Sequence, residues 1–176
     1  MAFIGSAIGG LLSAGASIYA SNKSSDAANN AAALQHQDAQ AALQQSVTLD
    51  SKSAPAYLAL GAVFNQEKKY EDAEKALTRG LEINPAAGEG QYELAKTYWA
   101  LGRWQDAEPH ALKAAALQPA MAPVHVLLGN IALRKRDAPG ALKEFQEYLR
   151  LDPKGPMAEG TQAMVKKIQD SMSSPH

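Results

Sequence analysis

Three short phrases recur at a fixed interval in this chain of 176 residues: LEINP at 81–85, ALQP at 116–119 and LRLDP at 149–153. Each proline stands 34 residues after the one before it. A fixed period of about 20–50 residues is typical of repeat architectures. The period divides the chain into the units 54–87, 88–121 and 122–155.

Each unit predicts two helices joined by a tight turn. Apolar residues recur at helical spacing, as in Ala73, Leu77 and Leu81. Gly102 lies at the centre of the second unit, where a glycine in left-handed conformation ends a helix. Proline then ends the second helix of each unit. With only 6% aromatic residues, the composition also favours close-packed helices. We therefore expect an all-α fold.

Small residues mark the line along which the two helices of a unit should touch. The eighth position of each unit carries glycine or alanine and the twentieth carries alanine, so backbones can approach closely. These residues are Gly61, Ala95, Gly129, Ala73, Ala107 and Ala141.

The pattern resembles the tetratricopeptide repeat family over about 100 residues, from 54 to 155. The matching residues are Tyr57, Leu60, Gly61, Phe64, Tyr70, Ala73 and Pro85; Leu94, Ala95, Tyr98, Gly102, Trp104, Ala107 and Pro119; and Leu128, Gly129, Ala141, Phe145 and Pro153. The resemblance implies a solenoid of three helical hairpins that binds proteins or peptides in a concave groove. Carrying over the family's groove positions gives Leu58, Ala62, Asn65, Gln66, Tyr92, Lys96, Trp99, Ala100, Val126, Asn130, Leu133 and Arg134.

Within that groove, Trp99 is expected to anchor a partner near Tyr92, Lys96 and Arg134. The alternative is that the N-terminal segment or a neighbouring subunit covers Trp99. Some members of the family clamp a peptide carboxylate with lysine, asparagine and arginine side chains. Because Ala62 stands where that set has asparagine, the resemblance does not imply a carboxylate clamp here.

The flanks of the repeats complete the predicted organisation. Residues 34–53 follow the second-helix frame weakly and are predicted to be a degenerate half-repeat. Residues 156–176 are predicted to form a capping helix and tail, with Met157 and Met164 in its packing face. Residues 1–33 are predicted to form a separate apolar, Gly- and Ala-rich helical segment for assembly or anchoring.

That N-terminal segment supports three interpretations. It is long enough to cross a bilayer, but four glycines and four serines among residues 1–22 dilute its hydropathy. It lacks the basic start of a signal peptide. An assembly helix is favoured, because Ile4, Ile8, Leu11, Gly15 and Ile18 recur at spacings of four and three, and small residues flank this seam. The residues expected to mediate self-association include the seam and its neighbours. These residues are Phe3, Ile4, Gly5, Ile8, Gly9, Leu11, Leu12, Gly15 and Ile18.

Composition and motifs argue against catalysis and against a metal or cofactor site. There is no cysteine, no phosphate-binding loop and no nucleophile motif, and none of the four histidines has a carboxylate or histidine partner at ligand spacing. His125 is expected to be a half-buried packing residue. We expect no enzymatic activity, no cofactor and no metal. A net charge of −1 argues against a nucleic-acid surface.

The leading hypothesis is a non-enzymatic interaction scaffold that self-associates through residues 1–33. The first alternative is a structural subunit of a filament, pilus-like fibre or phage virion, with the N-terminal helices bundled inside. Residues 1–40 resemble, in composition, the N-termini of phage virion and DNA-ejection proteins. The second alternative is a membrane-tethered adaptor. The expected origin is bacterial or phage, with an extracellular assembly or the cytoplasm favoured over an integral membrane location.

Overall fold

The structure is a computed structural model that describes residues 26–173, with side chains from residue 38 onward. Within this range the chain forms eight α-helices and no strand. They are α1 (Asp26–Leu49), α2 (Ala54–Gln66), α3 (Tyr70–Ile83), α4 (Gly88–Ala100), α5 (Trp104–Leu117), α6 (Ala122–Arg134), α7 (Ala138–Leu151) and α8 (Ala158–Ser173). All the residues predicted to mediate self-association, from Phe3 to Ile18, lie outside the described residues.

Each 34-residue unit forms a helical hairpin, as the period predicted. The hairpins are α2–α3, α4–α5 and α6–α7, and each has three residues between its helices. Such short connections make consecutive helices antiparallel neighbours. The all-α prediction and the prediction of helical hairpins are therefore confirmed.

The turn inside each hairpin contains one residue with a left-handed backbone. Gly102 has φ 75°, which confirms its predicted role, while Lys68 and Arg136 occupy the equivalent positions with φ 60°. Backbone hydrogen bonds hold this geometry: the N–H of Arg103 donates to the Tyr98 carbonyl at 2.8 Å, and that of Asp137 donates to the Ala132 carbonyl at 2.9 Å. The helix ends therefore impose a conformation that lysine and arginine do not favour.

The small residues lie where the two helices of a hairpin meet. The alanines at the twentieth position, Ala73, Ala107 and Ala141, are all 0% exposed. A Cβ atom added to Gly129 would lie 2.7 Å from Cδ1 of Phe145, and one added to Gly61 would lie 2.7 Å from Cδ2 of Leu77. Close backbone approach, predicted from these small residues, is confirmed.

The chain divides into two compact units, residues 1–85 and 86–176. In unit 1, α1 packs against α2, with Leu43 buried. When the side-chain amide of Gln40 is oriented with its nitrogen toward Glu67, that nitrogen donates a hydrogen bond to Oε1 of Glu67 at 3.2 Å. Helix α1 begins at Asp26 and runs through the predicted boundary between residues 33 and 34, so the predicted half-repeat helix is part of a longer one.

Unit 2 contains two hairpins and the C-terminal helix α8. Ile168 of α8 is 5% exposed and packs with Ala141 and Phe145, and Met164 packs against the same cluster. The turn before α8 is held by Tyr148, whose hydroxyl accepts a hydrogen bond from the Met157 N–H at 3.1 Å. Both methionines thus lie in packing positions, as expected.

None of the helices in the described part of the chain combines the length and the apolar character needed to cross a bilayer.

Candidate functional site

The seven residues predicted to bind a partner fall in different units. Asn65 and Gln66 lie at the end of α2 in unit 1, where Asn65 is half-buried and Gln66 is exposed. The other five lie on α4 and α6 of unit 2. Unit 2 therefore carries the larger part of the candidate site, which we call the α4–α6 face: Tyr92, Lys96, Trp99, Asn130 and Arg134.

Helix α4 presents three of these side chains along one face, because residues 92, 96 and 99 recur at spacings of four and three. The Nζ atom of Lys96 lies 5.1 Å from the centroid of the Tyr92 ring. It also lies 2.7 Å from Oε1 of Glu93, one turn earlier. The charge of Lys96 is therefore already partnered within its own helix.

Trp99 and Arg134 connect α4 to α6. The Arg134 guanidinium carbon lies 5.8 Å from the centroid of the Trp99 ring. Trp99 is half-buried and packs against the buried cluster that includes Ala95, Leu127 and Ile131. Residues of unit 2 thus contribute to the cover of Trp99, and the ring lies beside the exposed Arg134.

The α6 side of the face is electropositive. Helix α6 contains no acidic residue, and its last turn carries Arg134. Arg134 makes no ion pair with any residue in the described range. Asn130 lies one turn earlier and is half-buried. An arginine on an aromatic ring, with its donors open to solvent, suits a planar carboxylate.

Not every groove position carried over from the family faces outward. Leu58 lies against α3, since a Cβ atom added to Gly80 would be 2.6 Å from its Cδ2 atom. Val126 packs against two clusters formed with α7 and α8. The fifth position of the unit therefore contributes to the hairpin interior in these two repeats.

Two polar pairs inside the hairpins of unit 2 were not predicted from the sequence. Nδ1 of His110 lies 2.7 Å from Oε1 of Gln91, and Nδ1 of His125 lies 2.8 Å from Oε2 of Glu144. Both pairs join residues 19 positions apart and occupy the fourth and twenty-third positions of their repeats. Aligning the repeats in the 34-residue frame shows that both positions are polar in the second and third repeats, but it does not show that they meet. A search for histidine partners at ligand spacing could not find these pairs, because the two members lie on different helices.

The environment of His110 lowers the pKa of its imidazole. Burial of the ring is the largest cause, followed by repulsion from Lys113, while Asp106 acts in the opposite direction. His110 is therefore held neutral at pH 7. Its ring also lies 5.5 Å, centroid to centroid, from that of Tyr98.

The described residues contain no group of three or more side chains suited to holding a metal ion. The pairs His110–Gln91 and His125–Glu144 each offer a single histidine. The arrangement in unit 2 thus combines aromatic rings, cations and amide groups, which can recognise a partner through packing and hydrogen bonds.

Two family models match the chain. Both describe tetratricopeptide repeats, and they cover residues 64–111 and 92–156. Among curated relatives, human Superkiller complex protein 3 is 43% identical over 61 residues. That stretch is 35% of this chain and 4% of the relative, so this chain matches only a small part of the longer protein.

Solved structures show the same hairpin fold. The crystal structure of MamA is 26% identical, with a TM-score of 0.62 over 68% of this chain and 70% of that one. The first tetratricopeptide repeat domain of Spaghetti (RPAP3), bound to the HSP90 peptide SRMEEVD, is 22% identical, with a TM-score of 0.63 over 71% of this chain and 97% of that one. Residues 64–156 of this chain therefore belong to the tetratricopeptide repeat family.

Proposed function

We propose that this protein is a non-enzymatic scaffold that binds a segment of a partner protein, or a peptide, on the α4–α6 face. The observation that carries the proposal is the contact between Trp99 and Arg134, which joins an aromatic surface to an open guanidinium. Aromatic and arginine side chains dominate the energetics of protein interfaces. The ligand we infer has an apolar side chain next to a carboxylate.

Two further observations support this ligand chemistry. Helix α6 has no acidic side chain that would repel a carboxylate. Lys96 is neutralised by Glu93 at 2.7 Å, so Arg134 is the cation of this face that remains open to a ligand. Tetratricopeptide repeat domains include one solved with a peptide, that of Spaghetti, although its ligand says nothing by itself about the ligand of this chain.

The proposal can be tested with peptides selected from a random display library on the full chain. Selected sequences should be enriched in an acidic residue beside an aromatic or aliphatic one. Arg134→Gln should weaken the best peptide at least tenfold by calorimetry, because it removes the open cation while leaving the helix intact. Trp99→Ala should weaken it by about 2 kcal/mol or more, the size of an interface hot spot.

Matched controls distinguish binding from folding. Trp104→Phe alters the other tryptophan of the chain and should leave peptide affinity unchanged. Thermal melts of every variant should accompany the titrations, since Trp99 also packs against the core cluster. Selected peptides that bind wild type, Arg134→Gln and Trp99→Ala with equal affinity would place the binding surface elsewhere.

We also propose that the full chain self-associates through residues 1–33. The support is the uncharged run from Met1 to Asn22, with its seam of large and small apolar residues. Light scattering after size exclusion should show an oligomer for the full chain. The double variant Ile8→Asp, Leu11→Asp should be monomeric, because it places two charges in the seam.

A deletion of residues 1–25 offers a second comparison that leaves helix α1 intact. Negative-stain images of the full chain that show regular polymers would favour the structural-subunit alternative. Solubility of the full chain only in detergent would favour the membrane-tethered adaptor. A monodisperse monomer for both the full chain and the double variant would rule out self-association through this segment.

A further inference from the structure

The two polar pairs of unit 2 hold their histidines on opposite helices. In the α4–α5 hairpin, histidine is on the second helix and meets the amide of Gln91. In the α6–α7 hairpin, histidine is on the first helix and meets the carboxylate of Glu144. Because an amide gives no counter-charge and a carboxylate does, the two hairpins differ in how they accommodate a proton on the ring.

His110 lies in surroundings that oppose a positive charge. Gln91 is 2% exposed, and the ring of Tyr98 covers the imidazole from α4. On α5 itself, Lys113 repels a proton on the ring.

The carboxylate that acts on the His110 ring is engaged elsewhere. Asp106 attracts a proton on the ring, but it is bound by Nε of Arg103 at 2.8 Å. Glu108, two residues before His110 and therefore on a different face of α5, is bound at 2.6 Å by Lys135, the residue that follows α6. The groups packed around His110 therefore provide little compensation for its protonation.

His125 lies beside a carboxylate rather than an amide. Its Nδ1 atom contacts Glu144, and the two side chains are 13% and 24% exposed. A second carboxylate of α7, Glu147, has its pKa lowered mainly by the hydrogen bond from Arg150, with a contribution from His125 and from Lys143. The His125 ring therefore has a carboxylate at hydrogen-bond distance, whereas the His110 ring has an uncharged amide.

We propose that mild acid selectively loosens the α4–α5 hairpin, while the α6–α7 hairpin keeps its contacts. Helix α4 carries Tyr92, Lys96 and Trp99, so the loosening weakens ligand binding on the α4–α6 face at acid pH. That consequence for binding rests on the function proposed above. The loosening of the hairpin does not.

The direction in which stability changes with pH follows from the difference in the pKa of His110 between the folded and unfolded states. His110 has a lower pKa in the folded protein than the ordinary value of 6.5, so the unfolded hairpin binds the proton more readily. The stability that neutral His110 contributes is therefore fully present above that ordinary value. It is lost as the pH falls from there toward the lower folded pKa.

Amide hydrogen exchange of the full chain tests the loosening without any ligand. Exchange is measured at about pH 7.5 and about pH 5.5, which bracket histidine titration, and corrected for intrinsic exchange rates. Amides of α4 and α5 should lose protection several-fold at the lower pH, relative to those of α6 and α7. Equal change in both hairpins, or no change, would overturn the proposal.

Two matched variants assign the effect to one ring. His110→Gln removes the titrating group and can still pair with the Gln91 amide, so the acid-induced loss in α4 and α5 should disappear. His125→Gln should leave that loss in place. Persistence of the loss in His110→Gln would exclude His110 as its source.

A measurement on the wild-type protein covers the case in which His110→Gln fails to fold. Ring carbon and proton shifts of the histidines, followed by nuclear magnetic resonance, report the titration of His110 directly. The ring should titrate below the ordinary histidine range, and titration at or above that range would overturn the proposal. If the acid response appears but no selected peptide binds at either pH, the proposed function fails and the pH response stands.

Discussion

In the α4–α5 hairpin, Ala95 and Ala111 occupy the eighth and twenty-fourth positions of the repeat, whereas the α6–α7 hairpin has Gly129 and Phe145 there. All four positions are buried. The α2–α3 hairpin resembles the α6–α7 hairpin, because a glycine, Gly61, lies against a large side chain, Leu77. The comparison shows that side chains at the eighth and twenty-fourth positions fill the same space between the two helices, so a larger one requires a smaller partner. A large side chain fits on the second helix where the facing position of the first helix has no Cβ atom.

The largest expected effect on stability comes from truncating Phe145, the large side chain of the Gly129–Phe145 pair. Phe145 is 1% exposed and packs against α8 through Ile168. Phe145→Ala should lower the free energy of unfolding by about 3–5 kcal/mol, measured by urea denaturation. A loss below about 1 kcal/mol would mean that α8 closes onto the vacated space and that Phe145 is not the core of this hairpin.

A smaller effect is expected from crowding the same pair. Gly129→Ala places a Cβ atom 2.5 Å from the Phe145 ring and should cost about 1–3 kcal/mol. The double variant with Phe145→Ala recreates the alanine pair of the α4–α5 hairpin. It should be more stable than the sum of the single changes predicts, by about 0.5–3 kcal/mol.

Gly160→Ala serves as the control for this substitution. Gly160 lies on the exposed side of α8, with no heavy atom within 4 Å of the added Cβ. The change should stabilise the protein by about 0.5–1 kcal/mol, because alanine is the better helix former. Strict additivity in the double variant would refute the shared-volume explanation.

The starts of α5 and α7 differ in the same comparison. The Asp137 side chain accepts a hydrogen bond from the N–H of Gly140 at 2.9 Å, whereas Arg103, at the equivalent position before α5, provides no such cap. Asp137→Ala should therefore cost about 1 kcal/mol, while Asp137→Asn should retain most of the cap. An equal loss in both variants would point to the charge rather than to the hydrogen bond.

The smallest effects concern the left-handed turn residues. Arg136→Gly should stabilise the protein by up to about 1 kcal/mol, because the relief of the positive φ exceeds the entropy lost by glycine. Gly102→Ala should cost about 1 kcal/mol at the equivalent turn, although no atom obstructs its Cβ. Thermal melts of the two variants should move in opposite directions, and a shift of the same sign would show that the turns are not equivalent.

Much of the fold could be predicted from the 34-residue period. Helix type, hairpin boundaries and the buried alanines Ala73, Ala107 and Ala141 all follow from residue classes that recur in register. The left-handed conformation of Gly102 was also predictable, since glycine tolerates it without strain. The same conformation at Lys68 and Arg136 was not, because local preference disfavours it and the helix-end hydrogen bonds impose it.

The candidate site was predicted in part. The residues of the α4–α6 face came from family positions, but the contact between Trp99 and Arg134 depends on the distance between two helices. The pairs Gln91–His110 and His125–Glu144 depend on the same kind of packing. Their chemistry cannot be seen in a local window of sequence.

The sequence by itself thus determined the repeating element of this fold, the 34-residue helical hairpin. A 34-residue repeat with small residues at two positions can bury its apolar faces only as a pair of closely packed helices. The tertiary structure alone decided which side chains meet across each pair. Partners 19 residues apart come together only when a turn reverses the chain, and burial of the ring in that packing is the main cause of the lowered pKa of His110.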